Sequence, residues 1–399
     1  MNDYDVVIVG GRVAGAATAL LLSRAGLRVG VVERSRAGSD TVSTHALMRA
    51  GVLQLSRWGV LSEVVAAGTP AIRSTSFHYG DGVSTHVSLR SSPGVDALYA
   101  PRRHLLDRVL VEAAAASGAD VFHETPVVGL LRDDDGRVLG IRVPGDSGRE
   151  VPIRAGLTVG ADGIGSLVAR EVGAKAVSRG RGASAILYRY VAEVPSEGYV
   201  WGYGDGAAAG LIPTNDDETC VFVATTPSRM RALRRHGAET AFDNLLDTVP
   251  APLSDLVRAG GPVGDLHGWR GLPGYVRRSF GLGWALVGDA GYFKDPITTH
   301  GLTDALRDAE LLSEAVITGG FDASSGVALA KYQDVRDGLS RSLVEVTESV
   351  SRYDWDNERI RTLLRRVSSA MSDEMDHLSA RSRPYPPGVR PADDRRQHA

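Results

Sequence analysis

The first apolar run of the chain is short and unbroken. Val6 to Val9 precede the pair Gly10-Gly11, and runs of this kind mark strands of a parallel sheet covered on both faces. From Ala14 to Ala25 the residues are small or apolar, and Gly26 follows, which reads as a buried helix with its stop signal. Val29 to Val32 form a second apolar run with Glu33 at its end. The order strand, glycine turn, helix, strand predicts a βαβ unit.

Further along, the pattern changes its period. Ala46 to Trp58 place apolar residues at helical spacing, with Ser43 or Thr44 as the expected N-cap. Residues 71–100 alternate polar and apolar positions around Gly80-Asp81-Gly82, which predicts an antiparallel hairpin. A helix is expected from Arg102 to Ala116. Strands follow within Val121–Val143, around an Asp133-Asp134-Asp135-Gly136 turn. Three adjacent aspartates could bind a metal, but Asp-Gly is ordinary turn chemistry and a solvated hairpin tip is the expectation. Another buried run, Leu157 to Gly160, leads into Asp162-Gly163 and a short helix through Arg170. Residues 183–227 are strand-rich and aromatic, 228–258 helical, and Trp284 to Val287 form one more buried strand before Gly288-Asp289-Ala290. A helix is predicted from Gly301 to Thr318. The chain beyond it is mostly helical and charged, and the Pro- and Arg-rich tail past Ala380 reads as disordered.

Composition narrows the class without naming a function. A chain of 399 residues can build more than one substructure. A net charge of −3 gives no reason to expect nucleic acid or an anionic membrane as partner. The single Cys220 excludes an intrachain disulfide and a multi-cysteine metal site. No leader-like stretch or apolar run of membrane-spanning length is visible, so a cytoplasmic protein, monomer or homodimer, is expected.

The chemistry lies at strand ends. Gly10, Gly11, Arg12, Val13, Ala14 and Gly15 follow a G-x-G-x-x-G spacing with Arg12 in place of the middle glycine, and Glu33 stands 18 positions beyond Gly15. A glycine turn feeding a helix N-terminus suits a pyrophosphate, and the acidic residue suits a ribose diol. Arg12 could add a charge-assisted contact to phosphate. Asp162-Gly163 and Gly288-Asp289 each follow another apolar strand. Ligands of open α/β sheets bind at that edge.

With these three motifs in this order and spacing, residues 4–320 resemble the FAD-dependent group A aromatic monooxygenases of the para-hydroxybenzoate hydroxylase fold. The resemblance implies an α/β protein: a Rossmann-like FAD-binding domain assembled from 1–70, 101–180 and 271–320, a substrate domain from 71–100 and 181–270 built on an antiparallel sheet, C-terminal helices over 321–380, and a disordered tail over 381–399. It implies FAD contacts at Gly10 to Gly15, Glu33, Arg34, Arg49, Arg103 (preferred to Arg102), Asp162 and Gly163. Gly288 and Asp289 would face the ribityl chain, and Pro296, Gly301 and Leu302 the isoalloxazine. NADPH or NADH would be the transient reductant. Dioxygen would add at the flavin C4a, and the resulting hydroperoxide would hydroxylate an aromatic or polyketide-like molecule of secondary metabolism, with Tyr188, Tyr190, Trp201 and Tyr203 as candidate substrate contacts.

The chain also departs from the family pattern. It has Gly288-Asp289-Ala290-Gly291-Tyr292 where Gly-Asp-Ala-Ala-His is usual, then Phe293-Lys294-Asp295 before Pro296, and His300 before Gly301. Tyr292, Lys294 and His300 are therefore the candidate catalytic residues. Two enzyme alternatives share the FAD motifs. A flavin halogenase would require an N-terminal lysine and a Trp-x-Trp-x-Ile-Pro stretch, whereas the first lysine here is Lys175. A reductase of the geranylgeranyl-reductase branch would act on isoprenoid double bonds. A scaffold without redox function is the third alternative, and the intact Glu33, Asp162 and Asp289 argue against it.

Overall fold

The computed structural model describes residues 3–145, 148–196, 198–321 and 325–381. The expected disordered tail, apart from Arg381, falls outside them. The predicted βαβ unit is present as β1 (Tyr4–Val9), α1 (Val13–Arg24) and β2 (Val29–Val32). Next come α2 (Arg49–Arg57), α3 (Leu61–Ala66), the hairpin β3 (Ser74–Tyr79) and β4 (Ser84–Ser88), α4 (Arg103–Ala116) and β5 (Asp120–Phe122). The chain continues through β6 (Gly129–Arg132), β7 (Val138–Pro144), β8 (Glu150–Gly160), α5 (Leu167–Glu171) and β9 (Ala176–Arg179). A run of long strands follows: β10 (Ala185–Ala192), β11 (Tyr199–Gly204), β12 (Ala207–Pro213) and β13 (Glu218–Thr225). Three short helices, α6 (Pro227–Leu233), α7 (Ala238–Leu246) and α8 (Ala251–Ala259), precede β14 (Gly261–Trp269). The last elements are β15 (Tyr275–Arg277), β16 (Phe280–Gly281), β17 (Trp284–Leu286), β18 (Tyr292–Phe293), α9 (Gly301–Gly319), α10 (Ser325–Val350) and α11 (Asn357–Ala380).

Among the described residues there are two large sheets. One runs β16-β17-β8-β1-β2-β5, with β7 pairing β8 and β6 pairing β7. Its strands β17, β8, β1, β2 and β5 are parallel, so Gly10, Gly160 and Val287 emerge at one edge. The second sheet runs β14-β10-β13-β12-β11-β3-β4. It is antiparallel except where β3 pairs parallel with β11, a long-range pairing that the local alternation of residues 71–100 does not announce. A third, three-stranded sheet runs β18-β15-β9.

Alternation along β10 to β13 sorts side chains to two faces of the second sheet. Tyr188, Tyr190, Tyr199, Trp201, Tyr203 and Phe222 enter one core with residues of α10 and α11. Leu187, Val200, Leu211 and Val221 enter another against α6, α7 and α8. Gly210 makes room for the first of these cores, since a Cβ there would lie 2.6 Å from the Trp201 ring.

One helix starts later than its apolar spacing predicts. α2 begins at Arg49 with Met48 as its N-cap, not at Ala46 with Ser43 or Thr44. The segment before it is held out of the helix, because Leu47 bridges Tyr99 and His45 takes a left-handed φ of 68°. The Asp133–Asp135 stretch is a hairpin turn in which Asp133 accepts the Arg137 N–H at 2.8 Å. Among the described residues no helix is long and apolar enough to cross a membrane.

Candidate functional site

Close packing of backbone shapes the first part of the site. Gly10 has φ 104°, and a Cβ on Gly15 would overlap the Gly10 carbonyl, so neither position tolerates a side chain. No side chain caps α1, which leaves its first N–H groups turned toward the glycine loop. Glu33 is buried at the end of β2, where its carboxylate accepts the N–H groups of Gly11 and Ser35, each at 2.8 Å. Burial would raise its pKa, but those two N–H groups and the nearby Arg12 charge hold it below the usual glutamate value. Glu33, Gly11, Arg12, Ser39, Asp107 and His123 line a cleft of about 330 Å³. Arg34, the residue after Glu33, is exposed.

Arg12 and Arg103 converge on one carboxylate. The Arg12 guanidinium donates to Asp107 at 3.1 Å, and Arg103 donates to both oxygens of the same group at 3.2 Å. The neighbouring Arg102 goes the other way. It lies 3.7 Å over the Tyr190 ring and pairs with Glu218 at 2.7 Å. Arg49 donates to the Arg90 carbonyl at 2.9 Å and to Ser92 at 3.0 Å, so its side chain steadies the segment beyond β4.

The Asp162 carboxylate accepts from Ser166 Oγ at 2.5 Å and from the Leu167 N–H at 2.6 Å. The side chain thus caps α5, while Gly163 provides a left-handed turn at φ 73°. Gly288 packs its turn onto α1, where a Cβ would lie 2.9 Å from that of Ala14. Beside it, the Asp289 carboxylate accepts no hydrogen bond among the described residues, and burial pushes its pKa up to about 6 against the opposing charges of Lys294 and Arg103. A carboxylate left open at this strand edge fits a polyol such as a ribityl chain. With the close-packed turn from Gly10 to Gly15 and the Glu33 cleft, it makes the residues present a fit for FAD.

Behind Asp289 the loop 292–301 carries the three candidate catalytic residues into one buried cluster. Tyr292, Lys294 and His300 are all buried. Lys294 Nζ bonds Asp304, and both Lys294 and Arg307 sit over the Tyr292 ring, at 5.6 and 5.4 Å. His300 Nδ1 is 3.0 Å from Asp304 Oδ1, and Nε2 is 2.9 Å from Glu374 Oε2 on α11. Arg307 pairs with Asp304, Asp308 and Glu374 at 2.7 to 3.0 Å. Burial brings Lys294 down to about 7 and pushes His300 below its ordinary value. Gly301 and Leu302, in contrast, keep exposure at the start of α9, and Pro296 is half-buried.

The same loop is tied to the second sheet. Asp295 accepts the Ser184 N–H and hydroxyl at 2.5 and 2.6 Å, and Tyr353 donates to Ser184 Oγ at 2.9 Å. Ile297 joins the core that contains Tyr188, Tyr190, Trp201 and Tyr203. These four rings divide by environment. Tyr190 OH lies 2.5 Å from His45 Nε2, and Tyr188 OH accepts the Ser43 N–H at 3.4 Å, so both turn polar tips toward the segment before α2. Trp201 packs on Tyr199 and Phe222, and Tyr203 on Tyr79 and Trp355, as interior rings.

Comparison with known proteins decides the family. The profile of a family described as an FAD binding domain matches residues 3–347. The chain belongs to this family, whose members are flavin oxidoreductases. It is similar to a digeranylgeranylglycerophospholipid reductase of Methanosarcina mazei, 25% identical over 86% of this chain and 82% of that one. A similarly named reductase of Methanopyrus kandleri is 26% identical over 88% of this chain and 90% of that one. Among solved structures it resembles PqsL, a probable FAD-dependent monooxygenase from Pseudomonas aeruginosa, with a TM-score of 0.73 and 23% identity over 90% and 99% of the two chains. It also resembles the flavin-dependent halogenase CmlS, with a TM-score of 0.76 and 22% identity over 87% and 63%. At those identities the structural likeness is one of fold.

Asp107, Asp295, Asp304, Arg307 and Glu374 are site residues that reading the sequence did not single out. Asp304, Arg307 and Asp308 carried one available signal, since they place charge on a helix face next to Leu306, Ala309 and Leu312, which is where a buried ion network has to lie. Glu374 carried none, because only the tertiary packing of α11 brings it to α9.

Proposed function

We propose that the chain is an FAD-dependent monooxygenase that hydroxylates a flat aromatic small molecule, with NADPH or NADH as its reductant. The FAD would lie along Gly10–Gly15, Glu33 and Asp289, with its redox ring at Pro296, Gly301 and Leu302. FAD supplies the redox and oxygen-activating chemistry. This chain's residues bind it, position the ring against substrate and exclude water. Residues 71–100 and 181–270 form the substrate side in this reading.

One observation carries the proposal: the aromatic face of the second sheet and the Pro296–Ile297 turn belong to the same core. A ring system admitted there would meet Tyr188 and Tyr190, which combine apolar rings with hydroxyls near His45. The first test is turnover under isotopically labelled dioxygen with a panel of phenols, anilines and polycyclic aromatics. Incorporation of one labelled oxygen atom into product supports the reading. Consumption of nicotinamide with no oxygenated product opposes it.

A second reading follows from the relatives named above. As a reductase of isoprenoid double bonds the protein would hold an extended apolar chain against the same face, beneath α10 and α11. Mass gain of two hydrogens per double bond in a geranylgeranyl lipid, without oxygen uptake, would select it.

A further inference from the structure

The two ring nitrogens of His300 face two different carboxylates. Nδ1 is 3.0 Å from Asp304 Oδ1 and Nε2 is 2.9 Å from Glu374 Oε2, with the ring only 1% exposed. A neutral imidazole carries one N–H. It can donate to one carboxylate, and its other nitrogen then opposes an acceptor oxygen lone pair to lone pair. In the structure Nδ1 and Asp304 are aligned for a hydrogen bond, whereas His300 Nε2 and Glu374 Oε2, 2.9 Å apart and both buried, lie off its line.

The surroundings of the ring are charged on every side. Asp304, Arg307 and Asp308 come from α9, Glu374 from α11, and Lys294 and Tyr292 from the loop before α9. Asp304, Asp308 and Glu374 there face Arg307 and Lys294 while His300 is neutral; Asp289 also acts on Lys294, whose own pKa burial brings down to about 7. His300, Asp304 and Glu374 also have the spacing of a metal triad. Lys294 on Asp304, and Arg307 on both carboxylates, already occupy the places where a cation would gain its energy, so the triad is a charge cluster. One more proton on Nε2 would turn this close contact from repulsive to attractive, and a small rotation of either side chain would then bring the two atoms into a hydrogen bond.

We propose that the His300–Glu374 pair is a buried proton store that takes up one solvent proton when negative charge arrives at the N-terminus of α9. His300 immediately precedes Gly301, the first residue of that helix. The inference rests on the site assignment above, in which the redox ring of FAD lies at Gly301. Hydride transfer from the nicotinamide delivers two electrons and one proton, which leaves the reduced cofactor one negative charge richer. The compensating proton goes to His300 Nε2, and the resulting imidazolium donates to Asp304 and Glu374 at once. His300 and Glu374 are therefore positioning residues, acting on the cofactor through the helix end.

The test is the midpoint potential of the FAD-loaded protein between pH 6 and 8, read together with the absorption spectrum of the reduced form. Each proton that accompanies two electrons changes the equilibrium tenfold per pH unit, or 29.6 mV. The wild type should lose twice that per pH unit while its reduced spectrum is that of the anion. Glu374→Gln and His300→Asn should show the one-proton slope. A one-proton slope in the wild type overturns the proposal, whether or not the variants fold. So does a two-proton slope with the spectrum of neutral reduced flavin, one kept in both variants, or one that Lys294→Met also abolishes, since that lysine titrates in the same window. If neither variant changes the potential at any pH, the site assignment falls with the proposal; a kept slope with a displaced potential overturns the proposal alone.

Discussion

The two ends of the proposed cofactor site are built on different principles. At the Gly10 end, backbone does the work. The glycines let strand, turn and helix approach, and one carboxylate, Glu33, completes the cleft. At the 289–301 end, side chains do the work, and they arrive from far along the chain: Ser184 from the start of β10, Tyr353 from beyond α10, Glu374 from α11. A steric motif is local and leaves a local sequence trace. A polar network is assembled by packing, and its members look like ordinary surface residues until the fold brings them together.

That contrast can be broken from either end. The largest effect should follow from Gly15→Val, whose side chain would be driven into the Gly10 carbonyl. The expected outcome is loss of soluble folded protein, or folded protein without flavin, read by yield and the flavin-to-protein ratio. Asp289→Ala should come next and empty the FAD site while the chain stays folded. Its conservative relative tests the electrostatics. Because the folded pKa of Asp289 is raised by burial to about 6 from 3.8, its carboxylate costs the apo protein stability as pH rises through that window. Asp289→Asn should therefore raise the apo melting temperature at pH 7 to 8 and still weaken FAD binding. A lower apo melting temperature would show that the carboxylate is structurally paired.

On the networked side, Asp295→Ala removes the acceptor of two Ser184 hydrogen bonds and of the Ile297 N–H. The expected loss is about 1–3 kcal/mol by denaturant titration. Glu374 gives a pH signature. Burial would raise its pKa, but His300, protonated in the acid range where Glu374 titrates, and Arg307 hold it well below the ordinary value. Its contribution is complete above the unfolded glutamate pKa and disappears as pH falls through the folded one. Glu374→Gln should cost stability at pH 7, and the difference from wild type should shrink toward acid. A difference that grows on acidification would reverse the assignment. The smallest effect belongs to Asp134→Asn in the hairpin turn, expected within about 0.5 kcal/mol and without any change in flavin content.

The division between legible and illegible follows the same physics. Val6–Val9, Val29–Val32, Leu157–Gly160 and Trp284–Val287 were visible as buried strands because their runs are apolar, and the structure pairs them in parallel, the last ending at Leu286. The hairpin at 74–88 was visible through its alternation, but not its parallel partner β11, since pairing at long range is chosen by the core and not by either strand. The start of α2 was misplaced because apolar spacing continues through residues that an extended bridge to Tyr99 holds out of the helix. Tyr292, Lys294 and His300 stood out as departures from a pattern, and the structure gathers them into one cluster. Their partners Asp304, Arg307 and Glu374 could not be paired with them from spacing, because the cluster closes only when α9 and α11 pack.

The most direct measurement is the visible spectrum of the FAD-loaded protein under anaerobic conditions, before and after NADPH or NADH, with and without the aromatic panel. The account predicts bleaching of the oxidised flavin within seconds to minutes, faster when an aromatic substrate is present. No bleaching by either nicotinamide, with full bleaching by dithionite or a separate flavin reductase, would contradict a self-sufficient monooxygenase.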